Sequence, residues 1–197
     1  MMTVCPKRVQ VTILNKAIAQ NQLELLEVFA KINDPRIMNF QLTMNHQRSV
    51  DQSVFHLAVW SKNQDVLKFI FKHALALKID LNSNTSHLNG GVTPIHLAFS
   101  LFGLQTKSQQ GKFKFSLSEF ATILEHAKPL KINLEARDIY GRTPLHYLYR
   151  SKGRRLVDKF VVAAKKQYDI EFNTDARDVS GKRPRECTPM TGFIPPF

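Results

Sequence analysis

Three histidines, His56, His96 and His146, recur at offsets of 40 and 50 residues, and imidazole nitrogen is both the commonest metal ligand and the commonest general base. Shared coordination needs the rings to converge within bond length of one ion. Each of these sits instead in its own copy of a repeated phrase, so a repeat fold would place one per layer, too far apart to share an ion. The expectation is hydrogen bonding within the scaffold. His73 and His126 close apolar segments that read as helices, where imidazole suits the negative end of the helix dipole. No nucleophile motif, phosphate-cradling glycine loop, His-Glu-x-x-His or paired-cysteine spacing occurs, and most of the 8 glycines fall at turns. No catalytic, cofactor-binding or metal-binding residue is expected. Cys5 and Cys187 stand far apart without ligand-type neighbours, which suits a reducing compartment.

The elements that position these histidines are legible in the repeat. Gly91-Val92-Thr93-Pro94-Ile95-His96-Leu97-Ala98 returns as Gly141-Arg142-Thr143-Pro144-Leu145-His146-Tyr147-Leu148. A weaker copy precedes them at Ser53-Val54-Phe55-His56-Leu57-Ala58, and a decayed one follows at Gly181-Lys182-Arg183-Pro184-Arg185. A second block repeats in the same register, with Ala136-Arg137-Asp138 matching Ala176-Arg177-Asp178. Thr93 and Thr143 have the hydroxyl that caps a helix, and Pro94 and Pro144 occupy the first helical position, where a missing N–H costs nothing. Gly91 and Gly141 permit the tight turn before them. Each short helix is followed by a more apolar one: Asp65 to Ala74, Leu117 to His126, and Leu156 to Ala163. Leu14 to Ala19 and Leu23 to Phe29 form a related pair without the Thr-Pro opening, read as an N-terminal cap.

The phrase from Asp138 to His146, nearly repeated from Gly91 to Ala98, resembles the signature of the ankyrin repeat family. The resemblance covers roughly residues 14–185. It implies an all-α solenoid of helix-turn-helix repeats with β-turn finger loops, about four helix pairs and a truncated final repeat. The expected organisation is one domain over 1–187: cap 10–32, repeats about 50–80, 90–132 and 138–170, truncated repeat 178–187, then a Pro-rich tail over 188–197. The chain departs from the family's period of about 33 residues, and Leu148 stands where the family has a small residue. The added length is assigned to loops at Asn82–His87 and Gly103–Ser116, since extra loop residues cost little closure entropy. Thr93, Pro94, His96, Thr143, Pro144, Leu145 and His146 are the structural motif.

The resemblance implies function by binding another protein, without catalysis, through the variable positions that line the family's concave face. Here these include Trp60, Leu97, Ser100, Ile139, Tyr140, Arg142, Tyr147 and Arg150. Trp60, Tyr140, Arg142, Tyr147 and Arg150 have the aromatic and arginine composition of interface hot spots and are the expected partner-binding set, on a monomer. A net charge of +12 supports a second reading, a binder of nucleic acid or acidic surfaces. Residues 150–197 hold 11 basic and 6 acidic side chains, so the C-terminal part is the most basic. Arg150 to Arg155, Lys182 to Arg185 and the alternation Lys112-Phe113-Lys114-Phe115 are short motifs of that kind. A third reading is a microbial effector acting inside a host cell. With no apolar run near the ~20 residues of a membrane span and no secretory signal pattern, a cytoplasmic setting is expected, with the nucleus or a host cell as alternatives.

Overall fold

The computed structural model describes residues 7–32, 42–44, 50–85, 90–101 and 117–188. Expectations that fall on Cys5, His87, the 103–116 insertion and the tail beyond Thr188 lie outside them. The described chain is mainly helical. In order come α1 (Lys7–Ala19), α2 (Leu23–Ile32), β1 (Leu42–Met44), β2 (Val50–Gln52), α3 (Val54–Ser61), α4 (Gln64–His73), α5 (Pro94–Leu101), α6 (Leu117–Ala127), α7 (Pro144–Ser151), α8 (Arg154–Tyr168) and a 3-10 turn, Pro184–Glu186. The pair β1–β2 is antiparallel, with Leu42 opposite Gln52, Thr43 opposite Asp51 and Met44 opposite Val50. The sequence reading placed no strands there, because two three-residue segments offer too little alternation to show a period.

Helices α3, α5 and α7 have the same eight-residue length because the same residues start them. At each N-terminus the cap backbone N–H donates to the Nδ1 of the histidine three residues on: Ser53 to His56 (3.1 Å), Thr93 to His96 (3.2 Å) and Thr143 to His146 (3.0 Å). The cap hydroxyl lies 2.8–2.9 Å from the same nitrogen. The imidazole thus satisfies a donor that the helix itself leaves orphaned. Pro94 and Pro144 hold the first helical position, as their fixed φ requires.

The longer helices stop by a shared device. Lys78, Lys131 and Asp169 take left-handed φ near 50°. The next residues, Ile79, Ile132 and Ile170, then donate backwards to the carbonyls of Ala74, Ala127 and Ala164. These isoleucines are buried, which supplies the apolar contact that accompanies such helix ends.

Packing follows from this layout. Helix α3 contacts α1 and α5, and α5 contacts α7; α4 contacts α2 and α6, and α6 contacts α8. First helices therefore line up in one layer and second helices in another, with the core between them. The central first helix is buried throughout: every residue of α5 is inaccessible or nearly so. Four phenylalanines join the later layers edge to face: Phe99 of α5 lies 5.2 Å from Phe120, 5.9 Å from Phe160 and 5.7 Å from Phe172. Aromatic quadrupoles favour this T-shaped geometry.

Candidate interaction surface

The histidines that opened the sequence reading resolve first. With Nδ1 accepting a backbone N–H, a neutral ring carries its proton on Nε2, and that nitrogen donates to the main chain of the following unit. His56 reaches the Val92 carbonyl at 3.0 Å, His96 the Arg142 carbonyl at 2.9 Å, and His146 the Lys182 carbonyl at 3.1 Å. Both nitrogens of each ring are occupied, which leaves no lone pair for a metal ion. Burial pushes His56 and His96 down to about 4, and lowers His146 as well, against the carbonyl bonds that favour the charged form. The rings are neutral structural bridges between units.

The turns that precede the first helices form the second feature. Asp138 Oδ1 accepts the N–H groups of Tyr140 and Arg142, both at 2.8 Å. Asp178 Oδ1 does the same for Ser180 (2.8 Å) and Lys182 (2.9 Å). Gly141 and Gly181 supply the positive φ, +68° and +75°, that closes these turns. Successive turns are then tied together through the backbone: the Ile139 N–H donates to Gly90 and the Val179 N–H to Tyr140. Arg137 reinforces the row by donating to the carbonyls of Gly141 and Arg177, each at 2.8 Å.

The expected partner-binding residues divide on this framework. Tyr147 is fully buried and Arg142 is 9% exposed, so the expectation that they present themselves to a partner is corrected. Asp138 draws both inward. Its Oδ2 pairs with Arg142 at 2.7 Å and accepts the Tyr147 hydroxyl at 2.8 Å, while Arg142 also donates to that hydroxyl at 3.1 Å. The guanidinium lies between two rings, 4.4 Å from the centroid of Tyr140 and 5.0 Å from that of Tyr147, an arrangement that cation–π attraction favours. Burial, with Asp138 adding to it, drives the Tyr147 phenol well above its ordinary range, so it stays protonated and donates. Leu97 and Ser100 are also fully buried. Both lie in the interior, α5 being packed between α3 and α7.

What remains outside is narrower and lies on the turns. Tyr140 is 48% exposed and Ile139 39%, and Val179 on the next turn, which the sequence reading passed over, is 71% exposed. Val179 occupies in its turn the place that Ile139 has in the preceding one, and the offset of 40 residues was signal enough to find it. Trp60, at the C-terminal end of α3, is half exposed, and Arg150, its counterpart in α7, is partly buried. The structure brings Tyr140, Arg142 and Tyr147 together. No protein-family model matches the chain, and no curated protein matches it. Among the described residues no helix is long and apolar enough to cross a membrane.

Proposed function

We propose that this chain is an ankyrin-type repeat module that works by binding another protein, with the row of turn tips around Ile139, Tyr140 and Val179 as its contact surface. The observation that carries the reading is the rigidity of turns that nevertheless expose large apolar side chains. Aspartate cages, positive-φ glycines and turn-to-turn backbone bonds fix these tips. Yet Ile139, Tyr140 and Val179 stay in contact with water. Pre-ordered apolar groups lose little entropy on association, which is what an interface anchor requires. The stacked helix pairs and the histidine bridges between them support the ankyrin assignment. The same bridges support binding over catalysis, because the side chains best suited to acid–base work are neutral and occupied. Trp60 and Arg150 are the candidates for widening the contact along the first-helix layer.

The test is affinity capture from nuclease-treated lysate with wild type and with an Ile139→Ser, Tyr140→Ala, Val179→Ser triple variant. A partner retained at moderate salt by wild type and lost by the variant, with the helical circular-dichroism signal retained, is the expected result. Equal capture by both proteins, or capture that disappears with salt or nuclease, would overturn the reading.

A further inference from the structure

Helix α8 presents an outward surface that no neighbour among the described residues covers. Arg154, Arg155, Lys159 and Lys166 are exposed and have no carboxylate partner among the described residues. The one carboxylate on the helix, Asp158, is already engaged by the Tyr149 hydroxyl at 2.6 Å and by Arg185 at 3.0 Å. Among these cations Val162 stands 68% exposed and Leu156 36% exposed. Residues 155, 159, 162 and 166 fall at the i, i+4, i+7, i+11 spacing that places them along one line of a helix. This line of about 16 Å is charged at both ends and aliphatic near its middle.

Beside it lies a cleft of ≈ 570 Å³, lined by Arg154, Asp158, Val161 and Val162 of α8, by Tyr149 of α7, and by the segments around Asp175 and Arg185. Its position in the fold is informative. Each earlier second helix packs against the next one, α4 against α6 and α6 against α8. Beyond α8 the 3-10 turn Pro184–Glu186 stands against α7 where a further first helix would stand, and the described residues place no second helix behind it. The cleft lies between α8 and this 3-10 turn.

We propose that this cleft docks an acidic amphipathic helix of a partner protein, which packs on α8 as each second helix packs on the one before it, with its apolar side on Val161 and Val162 and its carboxylates toward Arg154, Arg155, Lys159 and Lys166. The cations along α8 select this occupant, since the carboxylates at the cleft, Asp158, Asp175 and Glu186, are already engaged by Arg185, the Arg183 guanidinium and the Arg183 N–H. A second copy of the chain would bring +12 against +12. A nucleic acid strand satisfies the cations but gains nothing from an aliphatic floor, whereas helix-in-groove recognition uses apolar anchors at helical spacing framed by matching charge. The surface is separate from the turn tips, so the inference stands or falls independently of the contact surface proposed above.

The probe is a fluorescein-labelled model peptide of about 20 residues, long enough for a stable helix once docked, with leucine on one helical face and glutamate elsewhere. Its scrambled isomer, which has the same charge but no apolar face, is the control. Fluorescence anisotropy should show saturable binding of the amphipathic peptide and at least tenfold weaker binding of the scrambled one, roughly the effect of removing an interface anchor. Val162→Glu should weaken binding by a similar factor, Lys159→Glu less, and Val28→Glu, at an exposed site on α2, not at all. Because Val162 and Val28 are both exposed, loss of fold does not explain a difference between those variants, and circular dichroism of each checks it. Equal binding of both peptides, no effect of Val162→Glu, or no binding would overturn the proposal. So would single-stranded DNA binding as tightly as the peptide and depending on Val162 no less, or wild-type self-association in sedimentation that Val162→Glu abolishes.

Discussion

Acid should loosen this fold well before its carboxylates titrate, and the buried histidines set the size of the effect. In the unfolded chain a histidine takes up its proton near 6.5, whereas in the folded protein His56 and His96 resist protonation until about 4. The folded values are depressed, so the stability these rings contribute is complete above about pH 6.5 and is lost as pH falls toward 4. The full difference of about 2.5 units corresponds to about 3 kcal/mol for each ring at 1.36 kcal/mol per unit. By about pH 5, where most carboxylates remain ionised, roughly 2 kcal/mol of each is gone and roughly 4 kcal/mol for the pair. Against a typical total of 5–15 kcal/mol, that is a large share. Urea unfolding followed by circular dichroism at about pH 7.5, 6.5, 5.5 and 5 measures it directly. His96→Gln supplies the internal control: less stable than wild type at neutral pH because the bridge to Arg142 is gone, it should lose roughly half as much on acidification, so the two proteins converge as pH falls. A stability that stays flat from pH 7.5 to about 5, or an identical slope in the variant, would refute the neutral-bridge account.

Other perturbations bear on the rest of the structure. Tyr147→Phe removes one hydroxyl from the Asp138–Arg142 network and should cost about 1–2 kcal/mol in chemical denaturation. Asp138→Ala strands the buried Arg142 cation and opens the turn, for a loss of about 3–5 kcal/mol; a loss under 1 kcal/mol would mean that water replaces the carboxylate. Phe99→Ala removes the hub of the aromatic cluster and should cost about 3–5 kcal/mol, with the helices packed on it melting together. Gly141→Ala must adopt φ near +68° with Val179 N 3.4 Å from the new methyl and should cost about 1 kcal/mol or more, read as a drop in Tm.

The parts legible in the sequence are those decided locally. Thr-Pro-x-His fixes a cap, a first turn and a ring orientation within four residues, so the starts of α5 and α7 could be read without knowledge of anything else. Helix α8 extends beyond the apolar stretch from Leu156 to Ala163, and because its added ends, Arg154–Arg155 and Lys165–Tyr168, are mostly polar, hydrophobic patterning does not register them. The fate of Tyr147 was not legible at all. An amphipathic aromatic suits an interface and a core equally, and Asp138, nine positions earlier, decides between them by offering its second oxygen once the turn has closed. Arg142 followed the same rule: its type suggests a surface, and a buried carboxylate beside two rings overrides the type. The surviving contact residues, Ile139, Tyr140 and Val179, sit where the backbone is held by its own bonds and the side chain remains exposed.

The bridges between units have an asymmetry with consequences for how such a chain can change. On the donor side an imidazole offers both an acceptor for the cap N–H and a donor for the next layer, and His56, His96 and His146 share that identity. On the acceptor side the partner is a main-chain carbonyl, which every residue has, and the three acceptors are accordingly a valine, an arginine and a lysine. Layer-to-layer cohesion therefore places no demand on the acceptor's side chain, which is free for a second role. At Val92 it fills the interior, at Arg142 it neutralises a buried aspartate, and at Lys182 it extends into solvent. At Lys182, which faces solvent, a substitution can therefore alter charge and surface while its carbonyl keeps the bond from His146.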